Sequence, residues 1–497
     1  MMSKKLFVIG ATLAVTLALA MPASAQSGDT ATGVVCGSKA GERQTCAADT
    51  TRGVTLVKTT GPVACVLGTT WGIDEKSIWV RDGCSAEFSL GAKATGGSGF
   101  GTYTPGRGFK VADTKSGDLN IRLYGYARYL NQRALDPTYT DSFGKTSEVK
   151  QRQDVQFSKA LVFFQGWFMS PKLRYSVYVW TSNTSQGLPA QVVVAGYFAY
   201  AFNPHVTFGV GINGLPGARS TEGQWPNWLG ADNRLIADEY FRPSYTSGLF
   251  ARGEIAKGLT YSVMWGDNLS QLGVDAGQLG NDMKTVSGAV AWMPTTGEYG
   301  PTSGFGDFEA HEKVATRFGV HYTYSDEDRQ SQPGTESIEN SQIRISDGNL
   351  VFTPGLFGPG VNISDVVYQM ESVDAGVKYR GFALEGEFYW RHLSNFRGTV
   401  EGLPFDHLTD TGIQVQASAM VKPKMAQLYL SGSKVFGGYG KPSDVRFGIN
   451  IFPWKNQMVR WNTEVTYLNR SPVGYSSVPY PVGGRGPVFH STWEVSF

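Results

Sequence analysis

The 497 residues carry 44 Lys and Arg against 42 Asp and Glu, a net charge of +2, and only 17% of positions are charged. So near a balance, with no basic run, excludes a nucleic-acid partner. Gly at 62 positions and 13% aromatic residues, with 23 Tyr and 12 Trp, is the texture of transmembrane β-structure if the chain is exported.

Export is written in the first residues. Lys4 and Lys5 precede an apolar run from Leu6 to Met21, and Ala23-Ser24-Ala25 follows. A charged start, an apolar middle and an A-x-A site predict a bacterial signal peptide over residues 1–25, cut after Ala25. The run is shorter than the about 20 residues that a spanning helix needs. No later apolar run is long enough to cross a bilayer as a helix.

Cys36, Cys46, Cys65 and Cys84 all lie in the first fifth of the chain. In an exported protein an even count predicts disulfides, with three possible pairings. A zinc site competes, but the spacings lack a C-x-x-C knuckle. Residues 26–90 therefore read as a small β domain held by two disulfides, each worth about 2–4 kcal/mol. The expected pairing is Cys36 with Cys84 and Cys46 with Cys65, because the ends of a small β module often meet. Trp71-Gly72-Ile73-Asp74, Ile78-Trp79-Val80 and Gly83-Cys84-Ser85-Ala86-Glu87-Phe88 make this segment resemble a small bacterial domain of uncharacterised function. The resemblance implies a secreted, mostly β module with no assigned activity. Trp71 and Trp79 are expected to fill its core rather than to stack on a sugar. Residues 91–118, dominated by Gly and Ser without periodicity, read as a flexible linker.

From residue 119 onward, segments of about ten residues alternate apolar and polar side chains between turns. Sixteen are expected, from 119–130 to 487–497. Tight turns such as Asn203-Pro204, Arg380-Gly381 and Lys422-Pro423 follow the even-numbered segments. The longest loops, 131–154, 214–246 and 325–370, follow odd-numbered ones. Short turns on one side and long loops on the other are the sidedness of an outer-membrane barrel. One connection breaks the rule: 294–313 is long and falls on the short-turn side, so it is either an excursion there or a miscount. Tyr129, Trp265, Trp292, Trp390 and Tyr467 sit near segment ends on the apolar parity, as membrane girdles require. A soluble sandwich also alternates, but it rarely offers sixteen strands in succession. In lipid a sheet must close to satisfy its backbone. The expected fold is therefore all-β: a closed antiparallel barrel over 119–497.

The last segment alternates to its final residue. Its Trp493, Val495 and Phe497 resemble the C-terminal signature by which bacterial outer-membrane barrels are handed to their insertion machinery. The chain from 119 to 497 resembles the Gram-negative outer-membrane porin superfamily, in its general or phosphate-selective type. That resemblance implies passive diffusion of ions and small polar solutes, a homotrimer in outer-membrane lipid, no cofactor and no metal. It also implies an inward-folded loop. The candidate is 214–246, with Arg219, Glu222, Asp232, Arg234, Asp238, Glu239 and Arg242. The small domain is then expected in the periplasm.

The polar parity supplies the wall of the bore. Its basic candidates are Arg122, Arg128, Arg252, Arg317, Lys378, Arg446 and Arg460. Its acidic candidates are Glu254, Asp374, Glu385, Glu387, Glu464 and Glu494. Opposed charges across a pore order polar solutes, and this near balance predicts weak ion preference. An enzyme is the rival class. None of the six histidines lies in G-x-S-x-G or H-E-x-x-H, and His321 and His490 fall on the polar parity, where they would line water. A structural or adhesive barrel, acting through its N-terminal domain on a periplasmic or cell-wall partner, is the other alternative.

Overall fold

The structure is a computed structural model. It describes residues 33–497 apart from 51–53, 62, 64, 66–69, 75, 91–102, 105, 183–190, 223–224, 270–281, 296–303, 330–339, 341 and 475–478. The signal peptide lies outside the described residues. Two compact units divide between residues 97 and 98.

The first unit holds two three-stranded antiparallel sheets. One orders Gly33–Gly37, Ser85–Leu90 and Val54–Thr59; the other orders Arg43–Ala47, Ser77–Arg81 and Trp71–Asp74. Ile78, Val80, Phe88 and Trp71 are buried between them, with the Trp71 and Phe88 rings 4.8 Å apart. Trp71 thus fills the core. Trp79 lies half-buried on the outer face, with the Arg43 guanidinium 4.7 Å above its ring.

Both disulfides form, but the expected pairing is wrong. Cys36 joins Cys46, and Cys65 joins Cys84. The chain turns back after Gly37, so consecutive strands fall in different sheets, and the Cys36 and Cys46 Cα atoms lie 6.0 Å apart. The first bridge therefore ties sheet to sheet rather than domain end to domain end.

The second unit is the barrel. Its strands are β1 (Gly117–Asn131), β2 (Gln153–Phe168), β3 (Ser170–Ser182), β4 (Gln191–Asn203), β5 (Val206–Gly214), β6 (Tyr245–Ala256), β7 (Leu259–Gly266) and β8 (Thr285–Trp292). They continue as β9 (Ala315–Asp328), β10 (Asn362–Tyr379), β11 (Phe382–Thr399), β12 (His407–Lys422), β13 (Ala426–Phe436), β14 (Ser443–Ile451), β15 (Val459–Asn469) and β16 (Arg485–Ser496). Each pairs antiparallel with the next, and β16 pairs with β1 to close the sheet. Val192, Val194, Phe198, Trp265, Val320 and Phe388 stand exposed on the outer parity, as lipid requires.

The long connection after β8 is an excursion and the strand count stands. Part of the expected linker is ordered instead. Gly108–Thr114 pairs with the first residues of β1, Phe109 opposite Ile121 and Thr114 opposite Gly117. It occupies the edge that β16 is too short to reach. The seam itself ends on Phe497, which accepts from the Leu123 N–H at 2.5 Å and donates to the Leu123 carbonyl at 2.9 Å.

Candidate functional site

Register assigns every inward side chain. His321 of β9 faces Ala289 of β8, and Asp374 of β10 faces Gly319 of β9 and Glu387 of β11. Following the pairs around divides the inner wall in two. From β4 to β8 it is mostly uncharged, with Val193, Ala195, Ala199, Gly209, Phe250, Met264, Ala289 and Ala291. From β9 through β16 to β1 it carries charge, with Arg317, Asp374, Lys378, Glu385, Glu387, Arg446, Arg460, Glu464, Glu494 and Arg128 all pointing inward and all buried.

Arg122, Arg252 and Glu254 share the inward parity but stay at least partly open. The Arg252 guanidinium bonds the Tyr197 hydroxyl at 3.2 Å.

The buried wall residues do not face water. The connection between β5 and β6, residues 215–244, folds into the bore and meets them. Its chain makes one turn of 3₁₀ helix at Arg219–Thr221 and a short helix α1 at Ile236–Phe241. Arg219 bonds Glu385 through Nε at 3.2 Å and Glu387 through its backbone N–H at 3.0 Å. Arg317 holds Asp374 at 2.9 Å and pairs with Glu222 of the loop. Arg128 donates to the Ala231 carbonyl at 2.6 Å, and Arg446 donates to the carbonyls of Asn233, at 3.1 Å, and Arg234. Arg460 donates to the Pro226 carbonyl at 3.2 Å and to that of Trp228.

Wall arginines thus satisfy main-chain carbonyls that a buried loop would otherwise leave unpaired. On α1, the backbone N–H groups of Ile236 and Ala237 find Asp444 and Ser433 at 3.3 and 3.0 Å. The Phe241 ring stacks on Tyr389, centroids 5.1 Å apart and 5° from parallel.

The loop's own charges sort into two groups. Arg219, Glu222 and Asp232 bind the wall, Asp232 through Lys159 at 2.5 Å. Arg234, Asp238, Glu239 and Arg242 bind one another: Arg234 with Asp238 at 3.0 Å, Arg242 with Glu239 at 2.7 Å. Burial opposes the charge on Arg242, and the adjacent Glu239 outweighs it and holds the guanidinium above its ordinary value. Burial likewise opposes ionisation of Asp232, and Lys159 overcomes it to hold the carboxyl below the usual range. The structure brings all seven candidates into the bore, but as a packed insert rather than as the charged rim of an open neck. The physical reason is complementarity: loop carbonyls and acids meet wall arginines.

The sequence reading missed Lys159, Arg391 and Asp410. Arg391 pairs with Asp410 at 2.5 Å and with the Tyr240 hydroxyl of α1. Arg391 lies on the inward parity of a segment already recognised, and Asp410 continues the inward parity of the next one just ahead of its expected start. Lys159 follows a bulge between Phe157 and Lys159 that inverts parity, so alternation read from the start of β2 sends it outward. His321 and His490, expected to line water, are buried against Asp374 at 2.8 Å and Glu464 at 2.9 Å. Among the described residues no group of three metal-ligating side chains occurs.

A family model described as a protein of unknown function (DUF3011) matches residues 19–122. No curated protein matches in sequence. Among solved structures, OmpT of Vibrio cholerae is 10% identical, covering 78% of this chain and 99% of that one at a TM-score of 0.48. An anion-selective porin from Comamonas acidovorans is 9% identical, covering 77% and 100% at 0.44. Salmonella typhi OmpF is 13% identical, covering 78% and 100% at 0.44. The matched family of unknown function begins ahead of the barrel and ends within β1.

Proposed function

We propose that this protein is an outer-membrane channel of the porin type, passing ions and small polar solutes by diffusion, and that loop 215–244 keeps its bore narrow. One observation carries the reading. A closed sixteen-strand barrel has an inner wall with opposed charges on one side and mostly uncharged residues on the other, and loop 215–244 packs deep into it. Sixteen strands enclose more space than their own side chains fill, and here much of the filling is a loop that can be moved or removed. In this reading the turn side and the N-terminal domain face the periplasm. The barrel works as a homotrimer without chemistry of its own, and Trp493, Val495 and Phe497 are read by the insertion machinery.

Purified protein in planar bilayers tests it. Discrete conductance steps are expected, small in the native chain and larger when residues 220–241 are replaced by a short Gly-Ser link. Reversal potentials in asymmetric salt then read the exposed wall, including Arg446, Arg460, Glu464 and Glu494. The filled bore favours one second reading, a structural or adhesive barrel acting through residues 26–90. A folded barrel that conducts neither with nor without its loop supports that reading instead.

A further inference from the structure

The connection between β8 and β9 returns into the barrel from the turn side. Gly304 lies directly against the backbone of Asn227 in loop 215–244: a Cβ at Gly304 would overlap the Asn227 carbonyl. Phe305 is buried in one cluster with Trp228 and Leu229 of the loop and Tyr429 of β13. A cavity of about 20 Å³ remains where the two segments meet, bordered by Trp228, Gly304 and Arg460, room for about one water.

The segment is anchored at the wall. Lys378 Nζ donates to the Gly304 carbonyl at 2.5 Å. The buried Asp307 carboxylate accepts from the Gly381 N–H at 2.8 Å and from the His311 N–H at 3.1 Å. Arg380 N–H donates to the His311 carbonyl at 2.8 Å, and Phe308 packs edge-on against Phe452 at 4.9 Å. A periplasmic turn with no role in the bore needs neither a glycine at van der Waals limits against the opposite loop nor a wall lysine on its carbonyl.

We propose that residues 304–311 are a second stopper in series with loop 215–244, so that the bore is closed from both ends and conducts fully only when both withdraw. The inference rests on the channel reading above, and its test separates the two. Three variants are compared in planar bilayers after heat-modifiability and protease resistance establish that each is folded. One replaces 220–241 by a Gly-Ser link, one replaces 304–311, and one replaces both. Resistances in series add, so the loop replacement alone raises conductance only part of the way and the 304–311 replacement alone changes it little. The double replacement raises it by roughly tenfold, the step from a filled bore to a water-filled one. Should the double variant fail to fold, Asp307→Ala in the loop-replaced chain takes its place and is expected to raise conductance above the loop replacement alone. If the loop replacement by itself reaches the full value, the second stopper is overturned while the channel stands. If a folded double variant is silent, the channel reading itself falls.

Discussion

Gly412 of β12 sits opposite Tyr389 in register, and a Cβ on it would overlap the Phe241 ring of α1. The missing side chain is a slot: Phe241 lies in it, stacked on Tyr389, and α1 is thereby seated against the wall. Gly412→Leu fills the slot. Overpacking of this kind costs about 1–3 kcal/mol. Because α1 is the movable partner, the expected outcome is higher single-channel conductance with the barrel still resistant to protease. Asp307 gives a second prediction at this scale. Burial opposes its ionisation, and the His311 and Gly381 hydrogen bonds outweigh burial and hold its pKa below the ordinary 3.8. A depressed acid contributes stability that is full above its unfolded pKa and is lost as pH falls through the folded value. The Gly381 amide, which donates to Asp307, should therefore keep its hydrogen-exchange protection down to about pH 4 and lose it in stronger acid. In Asp307→Asn the protection should be weak at every pH.

At the scale of elements, the terminal strand and the inserted loop show how far alternation carries. Phe497 contributes both hydrogen bonds that finish the seam with Leu123, and its ring packs on Phe109 of the 108–114 strand at 6.1 Å. Deleting Phe497, or replacing it with Asp, removes the aromatic end of the lipid-facing parity; the replacement also sets a charge at that face. The heat-modifiable form is expected to disappear and unassembled chain to accumulate in the periplasm. Normal levels of assembled barrel would contradict this. The faces of β10 to β16 were legible because a period of two is local: each residue's parity follows from its neighbour's. Lys159 was not legible because one extra residue in the β2 bulge reverses that parity, and alternation carries no mark of a bulge. The cysteine pairing failed for a related reason. Spacing says nothing about which sheet each strand joins, and Cys36 and Cys46 meet only because consecutive strands enter different sheets.

Across the whole molecule, two units lie on one chain, and each has its own prediction. Unfolded, unreduced protein should return no free thiols, and proteolysis without reduction should keep Cys36 linked to Cys46 and Cys65 to Cys84. Removing residues 33–90 is expected to leave the conductance of the barrel unchanged, because a module joined through a Gly-rich segment need not fill the bore. The sequence by itself determined the barrel: the turns, the loop sidedness and the two-residue period depend on neighbours along the chain. It also determined which charges face inward, since Arg128, Asp374, Arg446 and Glu464 take their face from parity. Only the tertiary structure decided what they face. An inward arginine looks the same in sequence whether it meets water or the carbonyl of a distant residue, and here Arg128 meets Ala231 and Arg446 meets Asn233. The same holds for the connection after β8. Its length was visible, but its entry into the bore depends on Lys378, Gly381 and Asn227, which only folding brings together.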